Sequence, residues 1–135
     1  MEKIIIVIGI AKDGTYGAYS ENVDGIYGMG CTIEKVKTSA LQGLEILRKE
    51  APQQLPPWAV EKDCEIQFKF DTESLLNYYK GIFTPAALSR ITGINQRQLQ
   101  HYASGLKKPR AAQVKKIEAG LHNLAKELLT IDLHV

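Results

Sequence analysis

Polar residues occupy one side of a short predicted helix that runs from Gln96 to Ser104. On a helical wheel with Leu99 and Tyr102 facing inward, the outward residues are Arg97, Gln100, His101 and Ser104, with Gln96 at the leading edge. Glutamine and arginine offer paired hydrogen-bonding groups that match the edges of adenine and guanine. This side carries no acidic residue, which would repel phosphate. The pattern therefore indicates a helix that reads bases in a DNA groove.

Basic residues follow this helix closely. They bracket Pro109 in a short loop and comprise Lys107, Lys108 and Arg110. Such a loop suits contacts to backbone phosphates, which set the register of a protein on DNA without reading its sequence. Lys115 and Lys116, in the predicted helix that follows, would extend the same phosphate contacts.

The polar helix is the second of two that a tight turn must join. Thr84 and Pro85 begin the first helix as a capping hydroxyl and an N1 proline, and small Ala87 is expected to let the helices approach closely. Gly93 suits a left-handed break, and Asn95 caps the second helix. This is the pattern of a helix-turn-helix. A long third helix is expected over Ala111 to Leu129, with an inward face made of Val114, Ile117, Leu121, Leu124 and Leu128.

The first 70 residues follow a different plan, with strands at Ile4 to Ala11, Thr15 to Glu21, Ile26 to Met29 and Cys64 to Phe70. Thr32 is a plausible N-cap for an amphipathic helix that ends near Glu50. The proline-rich stretch Ala51 to Trp58 is expected to be a loop. We therefore predict an α+β chain: a small antiparallel sheet with one covering helix over 1–70, and an all-α domain over 71–135 that opens with a helix at Asp71 to Phe83.

The net charge of the chain also changes between residues 70 and 71. Residues 1–70 hold 8 Lys+Arg and 10 Asp+Glu, a net charge of −2, whereas residues 71–135 hold 9 and 5, a net charge of +4. Any polyanion is therefore expected to bind the second half. Cys31, Cys64 and the three histidines are too scattered for a metal site, and two free thiols suit a cytoplasmic protein. No run of residues is long and apolar enough to cross a membrane.

The segment from Thr84 to about Leu124 resembles the Xre/Cro-type helix-turn-helix family. The resemblance rests on Gly93-Ile94-Asn95-Gln96, on the aromatic Tyr102, on Gly105 and on the basic run that ends at Pro109. It implies a lambda-repressor-like fold in which the early residues of the second helix read bases. By position these residues are Gln96, Arg97, Gln100 and His101.

The first half resembles HicB antitoxins, whose fold is a partial ribonuclease-H-like sheet. The matching features are Gly14-Thr15-Tyr16, Asp24-Gly25 and Gly28-Met29-Gly30-Cys31-Thr32 before a helix that contains Glu34. This resemblance implies a type II antitoxin that neutralises a HicA-like messenger-RNA-cleaving toxin and represses its own operon. The implied partners are operator DNA and a HicA-like toxin, with the acidic half docking the toxin.

Two other interpretations remain open. One is a stand-alone Xre-like regulator whose first half dimerises or senses a ligand. The other is a metal-dependent nuclease, which we do not favour because the first strand has no carboxylate, and Asp13, Asp24 and Glu34 fall in a turn, a loop and a helix start. We expect no enzymatic activity, cofactor or metal. One helix-turn-helix buries too little surface for strong operator binding, so a homodimer or homotetramer assembled through the first half is expected.

Overall fold

A computed structural model of the chain describes residues 2–11 and 13–135; Met1 and Lys12 lie outside the described residues. Over this range the protein is α+β, with one four-stranded sheet and six α-helices. It divides into a first unit that ends at Ser74 and a second unit from Leu75 to Val135. The division falls four residues after the boundary expected at Phe70. The extension arises because the chain stays attached to the sheet beyond its last strand, through the Asp71 N–H that donates to the Ile8 carbonyl at 3.0 Å.

The sheet contains β1 (Lys3–Ile10), β2 (Tyr16–Ser20), β3 (Tyr27–Gly30) and β4 (Glu65–Phe70) in the order β3-β2-β1-β4. The first three strands form an antiparallel meander, but β4 runs parallel to β1, with Ile6 opposite Phe68. The prediction of an antiparallel sheet is therefore wrong. The physical reason is the helical crossover between β3 and β4, which supplies the long connection that a parallel neighbour needs.

Helix α1 (Ile33–Glu50) covers one face of the sheet, as predicted. The Thr32 hydroxyl caps it by accepting the Lys35 N–H at 3.1 Å. Against β3 the approach is so close that a Cβ on Gly28 would lie 2.6 Å from the backbone nitrogen of Ala40. The core between α1 and the sheet consists of buried aliphatic side chains, chiefly Ile4, Ile6, Ile8, Ala18, Val36, Ala40 and Leu44.

The proline-rich connection is more ordered than the expected loop. It contains a 3-10 turn (Pro52–Gln54) and the short helix α2 (Pro57–Val60). The connection is bound to α1 through the buried side chain of Arg48, which lies in α1 and donates to the carbonyls of Ala59 at 3.0 Å and Glu61 at 2.9 Å.

The second unit is built from helices. These are α3 (Thr72–Tyr78), which begins just before the unit and continues as a 3-10 turn (Tyr79–Gly81), α4 (Pro85–Thr92), α5 (Gln96–Ala103) and α6 (Ala111–Leu129). Their common core is formed by Leu76, Leu88, Ile94, Leu99, Tyr102 and Ile117. The prediction that Leu128 faces inward is wrong: it is 56% exposed, since the last turn of α6 extends past the core. None of the described helices has the length and apolar character needed to cross a membrane.

Candidate nucleic-acid interface

The turn between α4 and α5 is fixed by local hydrogen bonds. The Thr84 hydroxyl caps α4 by accepting the Ala87 N–H at 3.0 Å. At the other end Gly93 adopts φ 75°, a left-handed conformation that glycine tolerates without a steric penalty, and its N–H returns to the Ser89 carbonyl at 2.8 Å. Both ends of α4 are therefore set by residues that the sequence singled out.

The side chains of Thr92 and Asn95 form the hydrogen bonds that define the backbone between α4 and α5. The buried Thr92 hydroxyl donates to the Leu88 carbonyl at 2.7 Å and accepts the Ile94 N–H at 3.2 Å. Asn95 then caps α5 by accepting the Gln98 N–H at 3.0 Å. Because each bond spans four residues or fewer, the direction in which α5 leaves the turn is set locally.

The side chains on the inner side of α5 are buried, and one of them is hydrogen-bonded. Leu99 and Tyr102 are each 3% exposed, and the Tyr102 hydroxyl bonds to the Gln98 amide at 2.8 Å. The Asn77 amide donates to the Ala103 carbonyl at 2.7 Å and so anchors the last turn of α5. The helix is thus secured at its start, along its inner side and at its end.

The outer side of α5 is largely free. Gln96, Arg97 and Gln100 are exposed, and none of their side chains forms a hydrogen bond or ion pair with the described residues. Ser104 is also exposed, but its hydroxyl donates to the His101 carbonyl at 3.2 Å. Gln96, Arg97 and Gln100 therefore present unused donors and acceptors along one rigid helix.

His101 departs from the predicted outward set. The side chain is half-buried, and its Nδ1 is shielded from solvent without a hydrogen-bond partner among the described residues. The helical wheel placed His101 among the outward residues; the wheel describes α5 alone, whereas the chain after α5 folds back so that the Lys107 N–H donates to the His101 carbonyl. The part of this side that is open to a ligand is consequently centred on Arg97 and Gln100.

The loop after α5 presents the predicted cations. Gly105 ends the helix at φ 80°, and the Lys107 N–H donates to the His101 carbonyl at 3.2 Å. The side chains of Lys107, Lys108 and Arg110 are all exposed, and none forms an ion pair with the part of the chain that the structure describes. Over 74–117 the chain has no acidic residue but eight basic ones, namely Lys80, Arg90, Arg97, Lys107, Lys108, Arg110, Lys115 and Lys116. This segment therefore carries a high density of positive charge.

Gly120 is a structural residue that sequence reasoning missed. It is buried where α6 crosses α4, and a Cβ at this position would collide with the Ile91 carbonyl oxygen. This contact joins α4 and α6, whereas the close approach predicted from Ala87 concerned α4 and α5. An isolated glycine inside a helical pattern was the available signal, since such a residue usually has a packing role.

The acids considered for nuclease chemistry occupy structural positions. Asp13 lies in the turn before β2, where it accepts the Thr15 hydroxyl at 2.6 Å and the Thr15 N–H at 3.0 Å; these bonds lower its pKa. Glu34 lies in the first turn of α1, and Asp24 is exposed in the loop before β3. Across 2–11 and 13–135, no three His, Cys, Asp or Glu side chains converge as metal ligands would.

Comparison of the chain with protein-family models, with curated proteins and with solved structures found no match.

Proposed function

We propose that this protein is a DNA-binding repressor of the helix-turn-helix class and, more specifically, a HicB-type antitoxin that represses its own operon. The observation that carries the DNA-binding half of the proposal is the outer side of α5. There Gln96, Gln100 and Arg97 are exposed and form no hydrogen bond or ion pair with the described residues, on a helix that is capped by Asn95 and held by Tyr102. These side chains are available to contact bases, and their hydrogen-bonding groups match the edges of adenine and guanine.

The proposed docking mode follows from the two kinds of polar residue. α5 lies in the major groove, where Gln96, Arg97 and Gln100 contact base edges. Lys107 and Lys108 in the following loop contact phosphates. The absence of acids over 74–117 supports this mode, because no carboxylate within that segment repels the DNA backbone.

Operator binding tests the proposal directly. Arg97→Ala should lower affinity for the operator by about 5- to 150-fold, the loss of one bidentate base contact of roughly 1–3 kcal/mol, and should leave non-specific DNA affinity nearly unchanged. Lys107→Ala should weaken both kinds of binding and reduce the salt dependence by about one counterion. Lys49→Ala, an exposed cation of the first unit, is the matched control. Unchanged operator affinity in Arg97→Ala would refute the assignment of α5.

The antitoxin half of the proposal concerns the first unit. The sheet face opposite α1 carries a row of exposed side chains that includes Tyr19, Tyr27 at 69% and Met29 at 73% exposure. Aromatic residues and methionine are enriched at protein interfaces, and residues 1–70 carry a net charge of −2. The exposed rings and methionine suit docking of a protein partner such as a HicA-like toxin.

Co-expression with the product of the adjacent gene tests this half. Tyr19→Ser with Tyr27→Ser should abolish co-purification, and the fold should persist because both rings are at least half exposed. Arg97→Ala, which lies in the other unit, should leave co-purification intact. A stand-alone regulator would show no such partner, and its operator binding would remain.

A further inference from the structure

Large apolar side chains are exposed at the end of α6 and in the segment after it. They are Leu128, Leu129, Ile131, Leu133 and Val135. A single exposed leucine is ordinary in a folded protein, but five such residues within eight positions are not. None of the five belongs to the core of the second unit.

The segment 131–135 has the sequence pattern of a strand but no neighbouring strand. Apolar Ile131, Leu133 and Val135 alternate with polar Asp132 and His134. The Ile131 N–H still donates to the Leu128 carbonyl at 3.2 Å, and the backbone of 132–135 forms no hydrogen bond with any residue that the structure describes. Residues 75–135, all of them described, contain no strand that could pair with this segment.

The β3 edge of the sheet is a poor acceptor for such a strand. The outward N–H of Met29 is already bonded to the Ser39 hydroxyl at 3.0 Å, and α1 crowds the same strand at Gly28. This edge therefore offers fewer free backbone groups to an additional strand.

We infer that residues 131–135 pair with the same segment of a second copy of this chain, as an antiparallel two-stranded ribbon. Leu133 of one copy lies opposite Leu133 of the other, and Ile131 lies opposite Val135. All apolar pairs then share one face of the ribbon, because directly opposite residues in antiparallel strands point to the same face.

The positions of Asp132 and His134 favour this register over the neighbouring ones. On the second face it brings Asp132 opposite His134, whose imidazole N–H can donate to the carboxylate; neither residue has an ion pair within the described chain. A shift of one residue would oppose apolar and polar side chains. A shift of two in either direction would oppose Asp132 to itself or His134 to itself. The sequence is therefore self-complementary in one register, as a two-fold interface requires.

Disulfide trapping tests both the pairing and its register. In the full chain with Cys31→Ser and Cys64→Ser, Leu133→Cys should form a covalent dimer on mild oxidation at least tenfold faster than Asp132→Cys, because only position 133 meets itself. Mixing the Ile131→Cys and Val135→Cys proteins should yield more linked heterodimer than either protein alone yields homodimer. Equal rates at 132 and 133, or no linkage at 133, would overturn the inference.

The molecular mass of the protein in solution, which reports whether it is a monomer or a dimer, provides a second test. Leu133→Glu should raise the dimer dissociation constant at least tenfold without altering the circular dichroism, since Leu133 is 86% exposed within one chain. Asn123→Glu adds the same charge at an exposed position of α6 and should have no effect. A monomeric wild-type chain, or a Leu133→Glu protein that dimerises as before, would refute the ribbon. Neither measurement involves DNA, so this inference and the proposed operator binding can fail separately.

Discussion

Replacing Gly120 with alanine tests whether backbone contact between α4 and α6 governs the stability of the second unit. A Cβ built at Gly120 would collide with the Ile91 carbonyl oxygen and would lie 3.1 Å from the Thr92 Cα. Both are backbone positions, which cannot rotate away as the end of a flexible side chain could. The two helices must therefore separate if the methyl group is to fit.

Two opposing effects set the size of the change. In an exposed helix interior, Gly→Ala would stabilise by about 1 kcal/mol through helix propensity. Forcing a methyl group into a closely packed contact typically costs about 1–3 kcal/mol, and a rigid backbone neighbour favours the upper end. We expect a net loss of roughly 1–2 kcal/mol. For a unit of this size each kcal/mol corresponds to about 4–8 °C in melting temperature.

Urea and thermal unfolding of the full chain, followed by circular dichroism, measure the effect. Gly81→Ala is the matched control, because a Cβ there meets no atom within 4 Å. If Gly120→Ala raised the melting temperature, the propensity effect would outweigh the contact and the close crossing of α4 and α6 would not limit stability.

Three further substitutions, and a control for one of them, test other parts of the fold. Gly28→Ala should cost about 3 kcal/mol or more in unfolding free energy, because the new methyl group would press on the backbone of α1. Arg48→Ala should cost about 1–3 kcal/mol in the same assay, since it leaves a buried carbonyl without a donor. Glu45→Ala, which removes only the exposed partner of Arg48, should cost about 0.5 kcal/mol or less. Thr15→Val should raise the pKa of Asp13 toward its ordinary value in an NMR titration, because the hydroxyl is the main cause of the lowering. In the wild type this bond stabilises the fold above the ordinary aspartate pKa of about 3.9 and is lost as pH falls through the lower folded pKa; an unchanged Asp13 titration in Thr15→Val would refute that cause.

The parts of the fold that local chemistry decides could be predicted from the sequence. Thr32, Thr84 and Asn95 were identified as caps, and each accepts the N–H three residues later. Gly93 was placed at the break between α4 and α5 and has positive φ. These features depend on a few neighbouring residues, so no knowledge of distant parts of the chain was needed.

The composition of β4 does not show whether the strand is parallel or antiparallel to its neighbour. Its direction follows from the order of the elements that precede it. The alternation over 64–70 is the same in a parallel and in an antiparallel strand. In the meander of the first three strands, however, both outer strands, β1 and β3, run the same way. A helix that returns the chain to its starting end makes the next strand parallel to either of them. Strand order together with one helical crossover was therefore sufficient to exclude the antiparallel arrangement.

Long-range packing accounts for the remaining differences. The burial of Arg48 depends on the connection that it binds, 11 and 13 residues away. The exposure of Leu128 depends on where the neighbouring helices end, and the heptad-like spacing of α6 continues past that point. A periodic pattern marks the side of a helix that is apolar, but it does not show how much of that side a neighbour covers.

Substitution of a residue that forms the turn before α5 should change stability and binding differently from substitution of an exposed residue on the outer side of α5. Asn95→Ala removes a cap and should lower the unfolding free energy by about 1 kcal/mol, whereas Gln100→Ala removes an exposed side chain and should change it by about 0.5 kcal/mol or less. If Gln100 contacts a base, Gln100→Ala should nevertheless lower operator affinity at least as much as Asn95→Ala, with the loss confined to one base position. Parallel measurements of unfolding and of binding to operator variants separate the two effects. Should operator affinity follow stability alone across both substitutions, the free side chains of α5 would have no part in recognition.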